Sequence, residues 1–383
     1  MSARQVMLLA GEASGDTLGG ELVDALKNAD SAIDCFGAGG EKMREAGVEI
    51  EIDLTQHAVI GVWEAIRNYG KFKKFFDQLL VVAEERRPDA VVLIDNPGFN
   101  LRFAAALRDL AQQYTGQWRP RIIQYISPQL WAWNESRVHA IARDIDLLLS
   151  IFPFEKQWYA ERAPHLEVEF VGHPLVDRYP NPSHAKPVDP PNLLILPGSR
   201  EKEITRHLPP IADTVRHLQS KNELAVTMVL PSEKLTDLAK SIAPSVAKWN
   251  LQIGNLAQSL QKAHAAIASS GTVTMECAWF RVPTVVLYRT SWPTYLLGRW
   301  FIKIPHIAMP NVLAGREIIP EFIQGRANSE NLSQAVAQLI NNSTEVERMR
   351  QDLDEVAATL GKPGAAARAA KAVLAQMEKP VWL

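Results

Sequence analysis

Six short, largely apolar runs punctuate the first half of the chain: Val6–Ala10, Ile33–Phe36, Ala90–Ile94, Arg121–Ile126, Leu147–Ile151 and Val168–Val171. They are continuous rather than alternating, the pattern of strands buried on both faces. Between them Leu18–Lys27, Phe72–Glu85 and Leu101–Leu110 carry helical periodicity. Strand and helix in alternation predict a parallel sheet with helices on both faces. The proline-dense stretch Pro174–Pro191 then breaks the pattern and reads as a linker without helix or central strand. Alternation restarts with strands expected at Asn192–Leu196, Leu224–Leu230, Leu251–Ile253, Ala265–Ala268 and Pro283–Leu287, and the chain from about Ser329 is helical. The predicted class is α/β, with two Rossmann-like doubly wound domains facing across a cleft and a helical C-terminal tail. The boundaries are 1–175, a proline-rich linker at 176–191, a second α/β domain at 192–345 and C-terminal helices at 346–383.

Composition narrows the function. With 47% hydrophobic and 22% charged residues the 383-residue chain is an ordinary globular one, which excludes disordered and coiled-coil classes. Basic residues number 41 and acidic 43, so no global field favours nucleic acid as a partner. Cys35 and Cys277 stand too far apart to mark a disulfide framework or a zinc site, and a reducing compartment is expected. Val6–Ala10 is too short for a signal-peptide core, and no apolar run is long enough to span a bilayer. The 10 Trp are many for a chain only 8% aromatic. A large core accounts for some of them.

Candidate chemistry sits where strands end. Gly11-Glu12-Ala13-Ser14-Gly15-Asp16 follows the first strand and suits either an anion cradle or a capped tight turn. Gly37-Ala38-Gly39-Gly40 follows the second, but Lys42 stands where a dinucleotide fingerprint needs glycine. Asp95 comes directly after the strand Ala90–Ile94, ahead of Pro97 and Gly98. There it suits a general base that takes a proton from a hydroxyl, or else a cap for the following turn. In the second domain Pro197-Gly198-Ser199-Arg200 and Ser269-Ser270-Gly271-Thr272 each join a strand to a helix, and Glu276 lies one turn on. The pair favours a diphosphate-bearing ligand. Asp144-x-Asp146 precedes a strand instead of following one, and the histidines lack metal-ligand spacing, so no metal is expected. Two stretches interleave aromatic and basic residues. The first contains Trp63, Ile66, Tyr69 and Phe72, the second Trp292 and Trp300. Each fits a membrane-surface helix or a core-facing helix with solvated lysines.

Taken in order, Gly11–Asp16, Ile94–Asn100, Tyr125–Trp133, Pro153–Lys156, Val171–Pro174, Leu196–Arg200, Ser270–Glu276 and Pro310–Glu317 resemble the lipid-A-disaccharide synthase family along nearly the whole chain. The resemblance implies an inverting, metal-independent glycosyltransferase of the GT-B type, with an acceptor-binding first domain and a UDP-sugar-binding second domain. Its substrates would be UDP-2,3-diacylglucosamine and 2,3-diacylglucosamine 1-phosphate, with no cofactor. By that likeness Asp95 deprotonates the acceptor 6-hydroxyl. Arg200, Ser270, Gly271 and Thr272 hold the departing UDP, Glu276 the ribose, and Asn311 orients the diphosphate. Glu12, Ser14 and Gly15 would line the acceptor side, with Trp131 and Trp133 shaping the cleft. Some relatives carry an acidic residue where this chain has Gly98, which leaves Asp95 the only carboxylate of its loop. Acylated sugars reside in a bilayer, so the expected location is cytoplasmic and peripheral on the inner membrane, with a homodimer left open. Another UDP-sugar enzyme of the same fold, such as a 2-epimerase, is the nearest alternative. A nicotinamide-dependent oxidoreductase and a non-catalytic membrane-binding protein are more distant ones.

Overall fold

A computed structural model describes residues 4–57, 69–114, 117–180, 182 and 189–380. The chain divides into two compact units, Met1–Arg178 with Leu360–Leu383, and Tyr179–Thr359. In the first, seven parallel strands run β1 (Gln5–Ala10), β2 (Asp34–Gly39), β3 (Glu49–Asp53), β4 (Ala90–Ile94), β5 (Arg121–Tyr125), β6 (Leu147–Ser150) and β7 (Glu167–Phe170). Their order is β3-β2-β1-β4-β5-β6-β7. Every residue of β4 is fully buried, which is why that strand is apolar without alternation.

The order reverses between β1 and β4, so chain leaving these strands departs toward opposite sides and opens a crevice at their carboxyl ends. Register decides what meets there. Ala10 pairs with Ile94, and Ile94 with Tyr125, so Gly11, Asp95 and Ile126 emerge level with one another. The helix Pro97–Gln112 that follows Asp95 is anchored by Phe99 and Phe103, whose rings meet Phe76 edge-on at 5.5 and 5.6 Å.

The second unit repeats the plan with six parallel strands, β8 (Asn192–Leu196), β9 (Ala225–Leu230), β10 (Asn250–Ile253), β11 (Ala265–Ser269), β12 (Thr284–Tyr288) and β13 (Glu321–Ile323). Their order is β10-β9-β8-β11-β12-β13, and the reversal falls between β8 and β11. Leu196 pairs with Ala268, so Pro197 and Ser269 leave the sheet side by side.

Three features depart from the sequence-based expectation. Strand β3 lies at the sheet edge with half-exposed acidic positions, and β13 is only three residues long; neither has the apolar run that marks a buried strand. Pro174–Arg178 forms one helical turn in the segment read as unable to hold a helix, because a proline at the first helical position loses no hydrogen bond. The C-terminal helices do not stay together. Ser343–Ala358 belongs to the second unit, whereas Ala365–Glu378 packs on the helix Ala13–Ala29 of the first. Ala365, Ala369, Ala370 and Val373 form its buried face, and Asp177 accepts the Gly364 and Ala366 N–H groups at 2.5 and 3.2 Å.

Candidate active site

At the carboxyl ends of β1, β4 and β5 the first unit gathers the residues of the Gly11–Asp16 and Asp95–Asn100 segments. Asp95 and Asn96 both have left-handed backbone, with φ of 49° and 40°. Burial pushes the Asp95 carboxyl above the usual carboxylate range, and the neighbouring charge of Glu12 adds to the rise, against a hydrogen bond from the Asn96 backbone. A carboxyl of raised pKa at a strand end is a stronger base than a solvated one. Its main chain is held by two buried amides. Asn100 Nδ2 donates to the carbonyls of Ile94 and Asp95 at 3.1 and 2.8 Å, and Gln124 Nε2 donates to the Asp95 carbonyl at 3.2 Å. Glu12 is the residue before the helix Ala13–Ala29 and is half-buried, while Ser14 is exposed on its first turn. A Cβ at Gly11 would come within 2.2 Å of Asn96 Nδ2, so the two loops touch there.

Several residues of this group have other duties than those expected. Gly15 is buried, and a Cβ there would lie 3.5 Å from Ala10 Cβ and 3.7 Å from Ile94 Cγ2, contacts that seat the first turn of the helix on the sheet. Asp16 accepts the N–H groups of Gly40, Lys42 and Met43 at 2.7, 2.9 and 3.1 Å. That fills the start of the helix Glu41–Glu45 with a carboxylate, and Gly37–Gly39 belong to β2 itself. Trp131 is buried, its indole N–H donating to Glu155 at 3.1 Å and its ring edge-on to Phe154. Its contacts place it in the core of the first unit. Trp133 faces outward at 43% exposure, with the Arg137 guanidinium over its ring. Burial raises Glu155 to about 8, so it holds its proton at neutral pH. His173, pressed against Phe152, is lowered to about 4 by burial and accepts the Leu175 N–H at 3.1 Å.

In the second unit the loop after β8 is organised around carboxylate and imidazole. Gly198 has a φ of 122°, and a Cβ there would lie 2.4 Å from Glu203 Oε2. That oxygen accepts the Ser199 N–H at 3.0 Å. Arg200 stands just before the helix Glu201–Gln219 with its side chain 43% exposed, 4.0 Å from the other Glu203 oxygen. His207 lies on that helix, fully buried, with Nδ1 on the Pro197 carbonyl at 2.7 Å and Nε2 accepting the Arg289 N–H at 3.0 Å. Burial lowers its pKa, and a ring nitrogen that accepts a backbone N–H cannot carry a proton. A neutral imidazole thus ties the loop after β8 to the end of β12.

Beside it, Gly271 and Thr272 are exposed and Ser270 is half-buried, its hydroxyl donating to the Ile307 carbonyl at 3.0 Å. Glu276 is half-buried and accepts a hydrogen bond from the Tyr179 hydroxyl at 3.5 Å. Asn311 differs from the role expected of it. Its amide is fully buried and makes four internal hydrogen bonds: Nδ2 to the Ile319 carbonyl and Glu321, and Oδ1 from the Ile318 and Ile319 N–H groups, all within 3.0 Å. The side-chain amide has no donor or acceptor left for a diphosphate, so it positions the surrounding chain. Sequence reading passed over Gln124, Glu203, His207 and Glu321. A glutamine inside an otherwise buried strand was the one visible signal among them.

The Asp144-x-Asp146 pair is structural. Arg143 bonds Asp144, and Asp146 accepts the Ile122 N–H at 2.7 Å and pairs with Arg108. Of the first aromatic-basic stretch, Trp63 and Ile66 lie outside the described residues, as does the Tyr69 side chain. Phe72 is half-buried against Phe75. The second stretch forms the helix Trp292–Phe301, none of whose residues is buried. Trp292, Leu296, Leu297, Phe301 and Ile302 are 42–61% exposed and Trp300 is 91% exposed. Among the described residues no helix is long and apolar enough to cross a membrane.

Comparison with known proteins agrees with this layout. The solved chains of similar fold include a UDP complex of MnaA from S. aureus (TM-score 0.66, 17% identity, 98% of this chain and 99% of that one). Another is CalG4, the calicheamicin glycosyltransferase (TM-score 0.60, 15% identity, all of both chains). At these identities they show the two-domain GT-B fold. Sequence relatives say more. The lipid-A-disaccharide synthase of Myxococcus xanthus is 33% identical over 97% of both chains, and that of Koribacter versatilis 35% identical over 98% of this chain and 99% of its own. A family model described as Lipid-A-disaccharide synthetase matches residues 6–376. The chain belongs to the lipid-A-disaccharide synthase family of glycosyltransferases.

Proposed function

We propose that this chain joins UDP-2,3-diacylglucosamine to 2,3-diacylglucosamine 1-phosphate, forming the β-1,6-linked disaccharide 1-phosphate and releasing UDP. The observation that carries this reading is Asp95, a carboxyl of raised pKa at the switch point of the first sheet in a chain of this family. Asp95 takes the proton of the acceptor 6-hydroxyl as that oxygen attacks the anomeric carbon of the donor. The bond from that carbon to the diphosphate breaks on the opposite side, inverting the centre. Negative charge then grows on the departing UDP, where the exposed guanidinium of Arg200 and the turn Ser270–Thr272 are suited to meet it. Glu276 is suited to the ribose hydroxyls. The reading needs no metal: Asp144-x-Asp146 is engaged by arginines and backbone, and Asp352-x-Asp354 pairs with Arg316, Arg348 and Arg281. The apolar helix Trp292–Phe301 suits contact with the membrane that holds both substrates, which makes the enzyme peripheral on the cytoplasmic face of the inner membrane.

The test is incubation with synthetic acylated donor and acceptor in mixed micelles, with and without chelator. Disaccharide and UDP are expected in equal amounts, unaffected by chelation, and Asp95→Asn is expected to lower turnover about 10²–10⁴-fold with UDP affinity retained. Absence of disaccharide in every detergent, or epimerisation of UDP-N-acetylglucosamine instead, would overturn the reading.

A further inference from the structure

Three residues without a glycine's freedom adopt left-handed backbone at the carboxyl ends of β4 and β5: Asp95, Asn96 and Ile126, the last at a φ of 72°. For a β-branched residue such as Ile126 this is a strained conformation, which persists only where the surroundings impose it. The surroundings are visible. Gln124 is fully buried and its Nε2 lies 3.2, 3.4 and 3.1 Å from the carbonyl oxygens of Asp95, Tyr125 and Ile126. Asn100, 1% exposed, adds its own N–H group to the Asp95 carbonyl at 2.8 Å.

Three carbonyls converging on one point repel each other unless a donor stands between them. The amino end of Gln124 fills that place. Its orientation is fixed by those three acceptors, and it leaves Oε1 buried without a hydrogen-bond partner. An orphaned acceptor is a cost that an apolar side chain of the same length would avoid. Both the strain and the orphaned oxygen are local costs at the loop that carries Asp95.

The geometry points to Gln124 and Asn100 as positioning residues that clamp the Asp95 main chain in its left-handed turn, holding the carboxylate level with the Gly11–Glu12 loop for proton abstraction. The assignment rests on the reading of Asp95 as the base. Neither amide touches the substrate. Without the clamp, the carbonyls separate, the turn relaxes toward ordinary backbone, and the carboxylate swings into more solvent. A misplacement of about 1 Å at a reacting group can cost on the order of 10²-fold in rate.

The experiment compares Gln124→Met, Gln124→Glu, Asn100→Asp and Asp95→Asn with the wild-type enzyme, reading kcat and KM across pH, UDP affinity, and folding by circular dichroism. The first two amide variants remove the donors while keeping side-chain length, and Asn100→Asp keeps its shape. For Gln124→Met we expect kcat to fall roughly 10- to 100-fold with KM for both substrates within about threefold, and the acidic limb of kcat to move to lower pH as Asp95 gains solvent. Gln124→Glu regains a donor only when protonated, so its activity relative to wild type should rise as pH falls. A merely structural role would lower the active fraction and leave the limb where it was. Wild-type kcat and an unmoved limb in the folded amide variants, with Asp95→Asn inactive, would overturn the clamp alone. Full turnover by Asp95→Asn would instead remove the base assignment beneath it. Loss of the first unit's melting transition in both Gln124→Glu and Asn100→Asp, with UDP affinity retained by the second unit, would also overturn it, since the amides would then hold the fold and not the loop.

Discussion

Glu155 shows how one buried carboxyl couples the first unit to pH. Its ordinary value lies near 4.5 and burial raises it to about 8, offset in part by the Trp131 indole N–H. Below the unfolded value both states hold the proton. Between about 4.5 and about 8 the unfolded chain releases it while the native state keeps it, so stability falls as pH rises. Above the native value the native group ionises too and the loss levels off. The slope is at most about 1.4 kcal/mol per pH unit, which makes the whole window worth on the order of 5 kcal/mol. Glu155→Gln keeps an acceptor for the indole and has no charge to bury. Its melting temperature should therefore exceed that of the wild type by several degrees at pH 8 and by much less at pH 5.5. Equal shifts at both pH values in scanning calorimetry would show that Glu155 is not the coupled group. Asp95 was legible in the sequence because a lone acid ended an apolar run. Glu155 and His207 were not, since each owes its role to neighbours distant in sequence, such as Arg289 for His207; Gln124 showed only as a polar residue within a buried strand. The fully engaged amide of Asn311 depends likewise on Glu321, ten residues away.

At the scale of elements, strands buried on both faces announced themselves and edge strands did not. β4 carries only apolar residues, whereas β3 reads Glu-Ile-Glu-Ile-Asp and resembles a polar loop. The two aromatic-basic stretches looked alike in sequence and differ in what their described residues do. Phe75 and Phe76 pack against the first core, while the helix Trp292–Phe301 buries none of its side chains. Trp292, Leu296 and Trp300 recur every four residues along one face, with Leu297 and Phe301 adjacent and Arg299 and Lys303 near its end. A stripe of that kind suits the lipid contact proposed for this helix, where each large apolar side chain buried would contribute about 1.5–3 kcal/mol. Leu296→Ser with Trp300→Ser is thus expected to weaken sedimentation with anionic phospholipid vesicles at least tenfold, while circular dichroism and the melting temperature stay at wild-type values. Unchanged vesicle binding would remove this helix from the membrane contact. A large fall in melting temperature would mean that the face is covered within the folded protein.

For the whole molecule, the division of the C-terminal helices has the largest consequence. Composition grouped them as one tail, since both are rich in residues that favour helix, and nothing local reveals which sheet a helix will cover. The Ala365–Glu378 helix covers the first unit, and the polar ties around it are specific. Asp177 caps its start, Arg368 bonds the Val171 carbonyl at 2.7 Å, and Arg121 reaches the Lys379 and Pro380 carbonyls at 2.5 and 2.8 Å. Leu360, Ala365, Ala369, Ala370 and Val373 are fully buried. Ending the chain at Thr359 removes all of these partners from the first unit and none of the strands or site loops of the second. Lost apolar burial and the stranded Asp177, Arg121 and Val171 carbonyl together amount to several kcal/mol, comparable to the roughly 5–15 kcal/mol that holds a domain folded. The truncated protein should therefore lose the melting transition of its first unit, or show it lowered by on the order of 10 °C or more. The transition of Tyr179–Thr359 should persist and still rise with added UDP, because a ligand that binds only the native state stabilises it by mass action. Two intact transitions after truncation would mean that the last helix is dispensable packing. A joint collapse of both would mean that the units fold as one, and that the contact boundary at Arg178 does not divide them in stability.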